Sequence, residues 1–292
     1  MENHLKYSIV CKYFPDRSVM LIIEIQKIVQ KMQRENLPAG VIKNHIKEYL
    51  QFYVLDFIYN SPFNKKFIFT GGTCLRICYG LNRLSEDIDF DIIGSVDMEA
   101  FANDVYAHFV KKLQHKDVEF SIKGKNDKIY LKFPILKSLG LADAGASDKL
   151  YIKIETTPVT IKNYGLEITP VDRERLNFLV QHYDLPTLMA CKINAIFQRV
   201  YFKGKNNEIS FKGRDVYDLI WYLEKGAHPN MSVIKGTLGI ASEKALFEKI
   251  YKKVGNYRSD HLLKDLENLF DNQVFIKNWA ENFKTILAGR LF

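Results

Sequence analysis

"FIFTGGTCLRICYGLNRLSEDIDFDII", residues 67–93, opens a helix on Gly-Gly-Thr and then sets an acid on every second residue of an alternating run. The alternation dictates geometry, because successive side chains of a strand point to opposite faces. Asp87, Asp89 and Asp91 therefore share one face, while Ile88, Phe90 and Ile92 pack on the other. Like charges in a row repel unless cations intervene. Divalent metal is the natural compensation, and hard oxygen donors favour Mg²⁺ or Mn²⁺; a solvated acidic strand face is the alternative the pattern leaves open. An EF-hand loop also begins D-x-D-x-D, but its glycine position falls here on Ile92 and its bidentate glutamate position on Met98.

On the upstream side, "KKFIFT" (65–70) is a short apolar strand feeding the Gly-Gly turn, and Thr73 to Tyr79 is a short helix ending near Gly80. Glycines between a strand and a helix let unpaired N–H groups face an anion, with the helix dipole adding attraction. A tight strand-to-helix turn has the same composition. The lysine and spacing of a P-loop and the GxGxxG of a dinucleotide fold are both absent.

Residues 18–59 have helical periodicity, with Leu21, Ile22, Ile25, Ile28 and Val29 on one face and "ENLPAG" (35–40) as an interruption. Residues 98–115 are also helical in pattern. "VEFSI" (118–122) and "IYLKF" (129–133) flank a polar turn and predict a hairpin. A loop of small residues (137–149) precedes a second alternating strand, "LYIKIETTPVTI" (150–161). From about residue 170 the pattern turns helical, at 185–200, 213–226 and through 242–288, with a basic connector at 201–213. The expected organisation is a helical N-terminal segment (1–60), an α/β (α+β) core (61–168) and a helical C-terminal domain (169–292).

The 292 residues, 47% hydrophobic and 26% charged, belong to the globular class and exclude the disordered and fibrous ones. The N-terminus carries no long apolar core, and "VMLIIEI" (19–25) is too short to cross a bilayer. No membrane contact and a cytoplasmic location are expected. Cys11, Cys74, Cys78 and Cys191 form no CxxC pair and have no histidine at zinc-like spacing. Cys74 and Cys78, four apart on the expected helix, read as a packing pair of reduced thiols. A net charge of +8 favours a polyanionic partner.

The conjunction of strand, Gly-Gly-Thr, short helix and Asp-x-Asp strand resembles the DNA polymerase β-like nucleotidyltransferase superfamily. In detail "GGTCLRICYGLNRLSEDIDFD" is similar to its AbiEii/AbiGii toxin branch, where Gly-Gly-Thr, a helix ending in Tyr-Gly and Arg-x-Ser-x-Asp-x-Asp-Phe are typical. The resemblance implies a mixed sheet and a third carboxylate from a later strand, which "YIKIETTP" offers as Glu155. It implies a lysine in the first helix after the core, here Lys192 in "LMACKINAIF", and a later Arg-Asp-x-x-Asp-like segment, here Arg214, Asp215 and Asp218. Read alone, Glu155 could equally be a surface acid, Lys192 a snorkelling side chain, and Asp215 with Asp218 a solvated helix face. Lys192 and Arg199, seven apart, would share a helix face.

The activity this implies is metal-dependent transfer of a nucleotide from an NTP to the 3′ end of tRNA by a toxin with a cognate antitoxin. Asp87, Asp89 and Glu155 would hold two Mg²⁺ ions, with Mn²⁺ possible. Gly71, Gly72, Thr73, Ser85 and Lys192 would bind phosphates, with Arg214, Asp215 and Asp218 holding the nucleotide or ordering Lys192. The connector's Lys203, Lys205, Lys212 and Arg214 suit a tRNA partner. Two other readings keep the same residues: nucleotidyl transfer to a protein hydroxyl, and a catalytically silent nucleotide-binding module.

Overall fold

The apolar half of the Asp-x-Asp run is what anchors it: Ile88 and Phe90 are fully buried and Ile92 nearly so, while the aspartates between them stay half-buried on the opposite face. Burying side chains of this size contributes about 1.5–3 kcal/mol each. A computed structural model describes residues 17–113, 117–173, 175–198 and 211–291. Its strands are β1 (Phe67–Thr70), β2 (Asp87–Ile92), β3 (Glu119–Lys123), β4 (Lys128–Pro134), β5 (Lys149–Pro158), β6 (Leu166–Arg173) and β7 (Leu176–Tyr183). They form one mixed sheet in the order β3-β4-β5-β2-β1-β7-β6, with β2 at its centre. β2 runs antiparallel to β1 and parallel to β5, and β1 runs parallel to β7.

The helices are α1 (Arg17–Arg34), α2 (Ala39–Tyr59), α3 (Gly71–Tyr79), α4 (Met98–Ala107), α5 (Leu185–Gln198), α6 (Gly213–Glu224), α7 (Met231–Leu238), α8 (Glu243–Val254), α9 (Ser259–Leu266) and α10 (Gln273–Leu291). α4 continues into a π-helical turn at His108–Lys112. The expected break between α1 and α2, the short helix after Gly-Gly, and the β3–β4 hairpin are all present.

Helix α2 covers the apolar face of the sheet. Its Tyr59 ring stacks on Phe178 of β7, and its hydroxyl donates to the Gln181 and Phe67 carbonyls at 2.9 and 3.3 Å. One face further along, the fully buried Gln51 amide donates to the carbonyls of Ser85 and Glu86, fixing the segment that leads into β2. The α2 helix thus sets where β2 begins.

One expectation fails. Helical character does not begin near residue 170: β6 and β7 occupy 166–183 as an antiparallel hairpin on β1, so the sheet continues past residue 168, and helix resumes only at Leu185. The connector at 201–213 falls mostly at residues 199–210, so Arg199, Lys203 and Lys205 lie outside the described residues. Among the described residues no helix is long and apolar enough to cross a membrane.

Replacing Tyr59 by Phe removes a buried donor from two strand carbonyls while keeping the stacked ring. Chemical denaturation should show a loss of about 1–2 kcal/mol with the fold retained.

Candidate active site

Sheet register lines up the acids. Thr70, the last residue of β1, pairs with Asp89, and Asp89 pairs on its other side with Glu155 of β5. Asp87 lies two residues along the same face of β2, so three carboxylates from two neighbouring strands open into one cavity of about 440 Å³. Asp91, the third acid of the alternating run, is diverted: its Oδ2 accepts from the Tyr183 hydroxyl at 2.7 Å, and it does not line the cavity.

Gly71 closes one end of that row. Its backbone sits at φ +76°, a region that favours glycine, and a Cβ there would come within 2.2 Å of Asp89 Oδ2. At Gly72 a Cβ would come within 2.5 Å of Arg83 Nη2 and 3.0 Å of Ser85 Oγ. Both glycines are therefore required by close approach, and both put backbone on the cavity wall at the start of α3. Thr73 does something else. It is buried, and its hydroxyl donates to the Asp87 carbonyl, locking α3 to β2 from behind.

Along the cavity wall runs a charge network that ties the loop before β2 to the helices. Arg83, 1% exposed, forks onto Asp218 of α6, with Nε 2.6 Å from Oδ1 and Nη2 2.7 Å from Oδ2. Lys192 of α5 donates to Asp215 Oδ1 at 2.9 Å and reaches Asp218 Oδ2 at 2.8 Å. Burial pushes the Asp218 carboxyl up, but Arg83 and Lys192 outweigh it and hold it at about 2. Burial likewise lowers the Lys192 ammonium, and Asp215 with Asp218 more than reverse that. Lys192 is neither snorkelling nor free, and Asp215 and Asp218 are no solvated face: both acids are buried around it.

Of the residues expected in the site, Gly71, Gly72, Ser85, Asp87, Asp89, Glu155, Lys192, Arg214 and Asp215 line the cavity. Thr73 and Asp218 stand behind its wall as supports. Arg214 Nη1 donates to Glu86 Oε2 at 2.8 Å, and Lys47 approaches the same carboxylate at 3.5 Å. Two residues were missed. Arg83 stands in the Arg-x-Ser-x-Asp run but shows no periodicity that would mark it as buried. Lys153, two residues before Glu155 on the same strand face, reaches both Glu155 and, at 3.5 Å, Asp87.

The donor set fits a hard divalent cation. Three carboxylates line the same cavity, two of them partly balanced by Lys153 and, for Glu155, by Lys128 at 3.6 Å. No ion pair reaches Asp89 among the described residues; burial first, then the charges of Asp87 and Glu155, push its carboxyl up to about 6. A cluster whose central acid resists ionising is one that a cation would relieve.

The family model for the nucleotidyl transferase AbiEii toxin of type IV toxin–antitoxin systems matches residues 54–291. The fold is similar to that of JHP933 from Helicobacter pylori, at 15% identity over 85% of this chain and 91% of that one, with a TM-score of 0.50. A further likeness is to MenT4, a nucleotidyltransferase toxin of Mycobacterium tuberculosis, at 13% identity over 90% and 89% of the two chains and a TM-score of 0.49. No curated protein matches the sequence.

Asp218→Asn leaves Arg83 and Lys192 buried without their shared counter-charge, and should cost about 3–5 kcal/mol by thermal or urea unfolding. The raised Asp89 carboxyl predicts a pH effect whose sign follows from proton competition. Below about pH 6 the acid holds a proton that any metal binding there would have to displace. Calorimetric titration with Mn²⁺ should therefore show affinity nearly flat above that pH and falling toward about tenfold per unit beneath it.

Proposed function

The chain belongs to the AbiEii nucleotidyl transferase toxin family of type IV toxin–antitoxin systems, and from that premise we propose that it transfers NMP from an NTP to the 3′ end of tRNA in the cytoplasm, blocking translation until a cognate antitoxin opposes it. The observation that carries the reading is the row Gly71, Asp89, Glu155, with Asp87 beside it: anion-binding backbone next to cation-binding acids. A triphosphate with its metal needs both at once.

In this reading Asp87, Asp89 and Glu155 hold Mg²⁺, or Mn²⁺ in its place. The bound ions supply charge neutralisation and a lowered pKa for the attacking hydroxyl. The backbone amides of Gly71 and Gly72 meet phosphate oxygens at the positive end of α3, and the Ser85 hydroxyl adds a donor. Lys192, held by Asp215 and Asp218, presents a fixed ammonium to the triphosphate, and Arg214 adds a second cation on the same wall. The acceptor's 3′ hydroxyl gives its proton to solvent as its oxygen attacks the α-phosphorus, the bond from that phosphorus to the bridging oxygen breaks, and pyrophosphate leaves with the electron pair. Rate in such transfers comes mostly from positioning and charge stabilisation. The excess of basic residues supports an RNA acceptor.

The test is a labelling assay with Mg²⁺, total tRNA and each α-labelled NTP in turn. Labelled tRNA is expected from the wild type, with a loss on the order of 10²-fold or more in Asp89→Ala. Label on protein instead of RNA would replace the acceptor, and NTP-induced thermal stabilisation without any product would replace catalysis by binding.

A further inference from the structure

Cys74 and Cys78 lie one turn apart on the face of α3 that meets the sheet, and β7 brings His182 against them across more than a hundred residues of chain. Their two Sγ atoms and a ring nitrogen of His182 lie within 4.8 Å of one another. Cys74 and His182 are fully buried, Cys78 partly so. We propose that Cys74, Cys78 and His182 form a binding site for a single thiophilic cation, Zn²⁺ in the first instance, separate from the acid cavity.

The spacing supports chelation. Residues four apart on a helix present their side chains to one point, the arrangement by which H-E-x-x-H helices hold zinc through two histidines. A tetrahedral site with Zn–S near 2.3 Å and Zn–N near 2.0 Å sets its ligand atoms roughly 3.5–3.8 Å apart, within small side-chain rotations of the positions here. The same spacing disfavours a disulfide, because helical Cβ atoms four apart stand about 5–6 Å from each other and a disulfide needs about 3.5–4.5 Å.

The surroundings orient the imidazole. His182 Nδ1 lies 2.8 Å from the Tyr183 carbonyl and 3.4 Å from the Tyr79 hydroxyl, and Nε2 lies 2.8 Å from Thr169 Oγ1. The carbonyl can only accept, so the ring proton sits on Nδ1, and Nε2 carries the lone pair that a cation would take in exchange for the Thr169 hydroxyl. On the exposed side the Tyr79 hydroxyl donates to Glu167 at 2.6 Å, and Glu167 pairs with His182 across β6 and β7. Glu167 is not among the three groups that meet within 4.8 Å, so the fourth position of a tetrahedral site would fall to a water. Thiolate donors select soft ions, whereas Asp87, Asp89 and Glu155 select hard ones, so the two sites would not compete. A bound ion would staple α3, which begins with Gly71 and Gly72, to β7.

The experiment titrates the reduced full-length protein with Co²⁺ as an optical stand-in, then with Zn²⁺. One equivalent of Co²⁺ should give a thiolate charge-transfer band that Zn²⁺ abolishes; Asp89→Asn should keep the band and Cys78→Ser should lose it. Absence of the band from the folded wild type, or its full survival in Cys78→Ser, overturns the site. Since Cys78→Ser could fold poorly, wild-type melting provides the second measurement: one equivalent of Zn²⁺ should raise Tm relative to chelator-treated protein, and an unchanged Tm overturns the proposal. Neither result depends on the nucleotidyl transfer reading.

Discussion

A single carboxylate, that of Asp218, is shared by two buried cations, and the cavity depends on that sharing. Arg83 belongs to the loop between α3 and β2, Lys192 to α5, and Asp218 to α6. Three segments distant in sequence are thus held by one pair of oxygens. Asp215 supplies the second negative charge, so two acids meet two bases and no net charge is left in the low-dielectric interior. Buried pairs of this sort add little net stability compared with apolar packing, but breaking one is expensive. Their physical effect here is positional: the helices cannot shift over the sheet without separating charges. Neighbouring contacts agree with that placement, since the Leu84 amide donates to the Leu269 carbonyl and the Tyr217 hydroxyl to Asn82.

With the helices so placed, the sheet supplies the rest. β2 is central, so it has a partner on each side, and the acid face of the strand gains backbone from one neighbour and Glu155 from the other. The parallel pairing of β2 with β5 is what puts Asp89 opposite Glu155; a slip of one residue would turn Glu155 to the apolar face. Ile152 and Ile154, both fully buried, hold the register in the same way that Ile88 and Phe90 hold that of β2. Site geometry and core packing are therefore one constraint seen from two faces of the same strands.

Much of this was legible in the sequence because it was periodic. Period two revealed β2 and β5 and the face their acids share; period 3.6 revealed α2, α5 and α6. The β6–β7 hairpin escaped because its signal is mixed. β6 is an edge strand, largely exposed, with Pro170 inside it and Ile168 facing solvent, so no apolar alternation marks it. β7 buries Phe178, Val180 and His182 in alternation, yet it runs within two residues into the apolar start of α5. Arg83 escaped for another reason. A lone arginine in a loop has no period, and only the distant Asp218 explains its burial. The Cys74–Cys78–His182 cluster depends on the same kind of contact: spacing shows the two cysteines, and only β7 adds the histidine.

The cavity also carries a conflict between folding and chemistry. Folding gathers Asp87, Asp89 and Glu155 on one face, where burial first and then their mutual repulsion keep the Asp89 carboxyl high. Lys153 and Lys128 answer part of this from within the chain, and through them Glu155 is held below the usual carboxylate range although burial pushes it upward. No ion pair reaches Asp89 among the described residues, and Gly71 is pressed against it with no room for a side chain between. The protein could have relieved the strain with a third internal cation, at the cost of filling the cavity. Leaving the central acid under-compensated keeps the space open and makes an external cation the favourable way to neutralise it. Lys192 is tied to Asp215 and Asp218 rather than to Asp89: an ammonium already balanced from behind stays on the wall and does not close onto the acids.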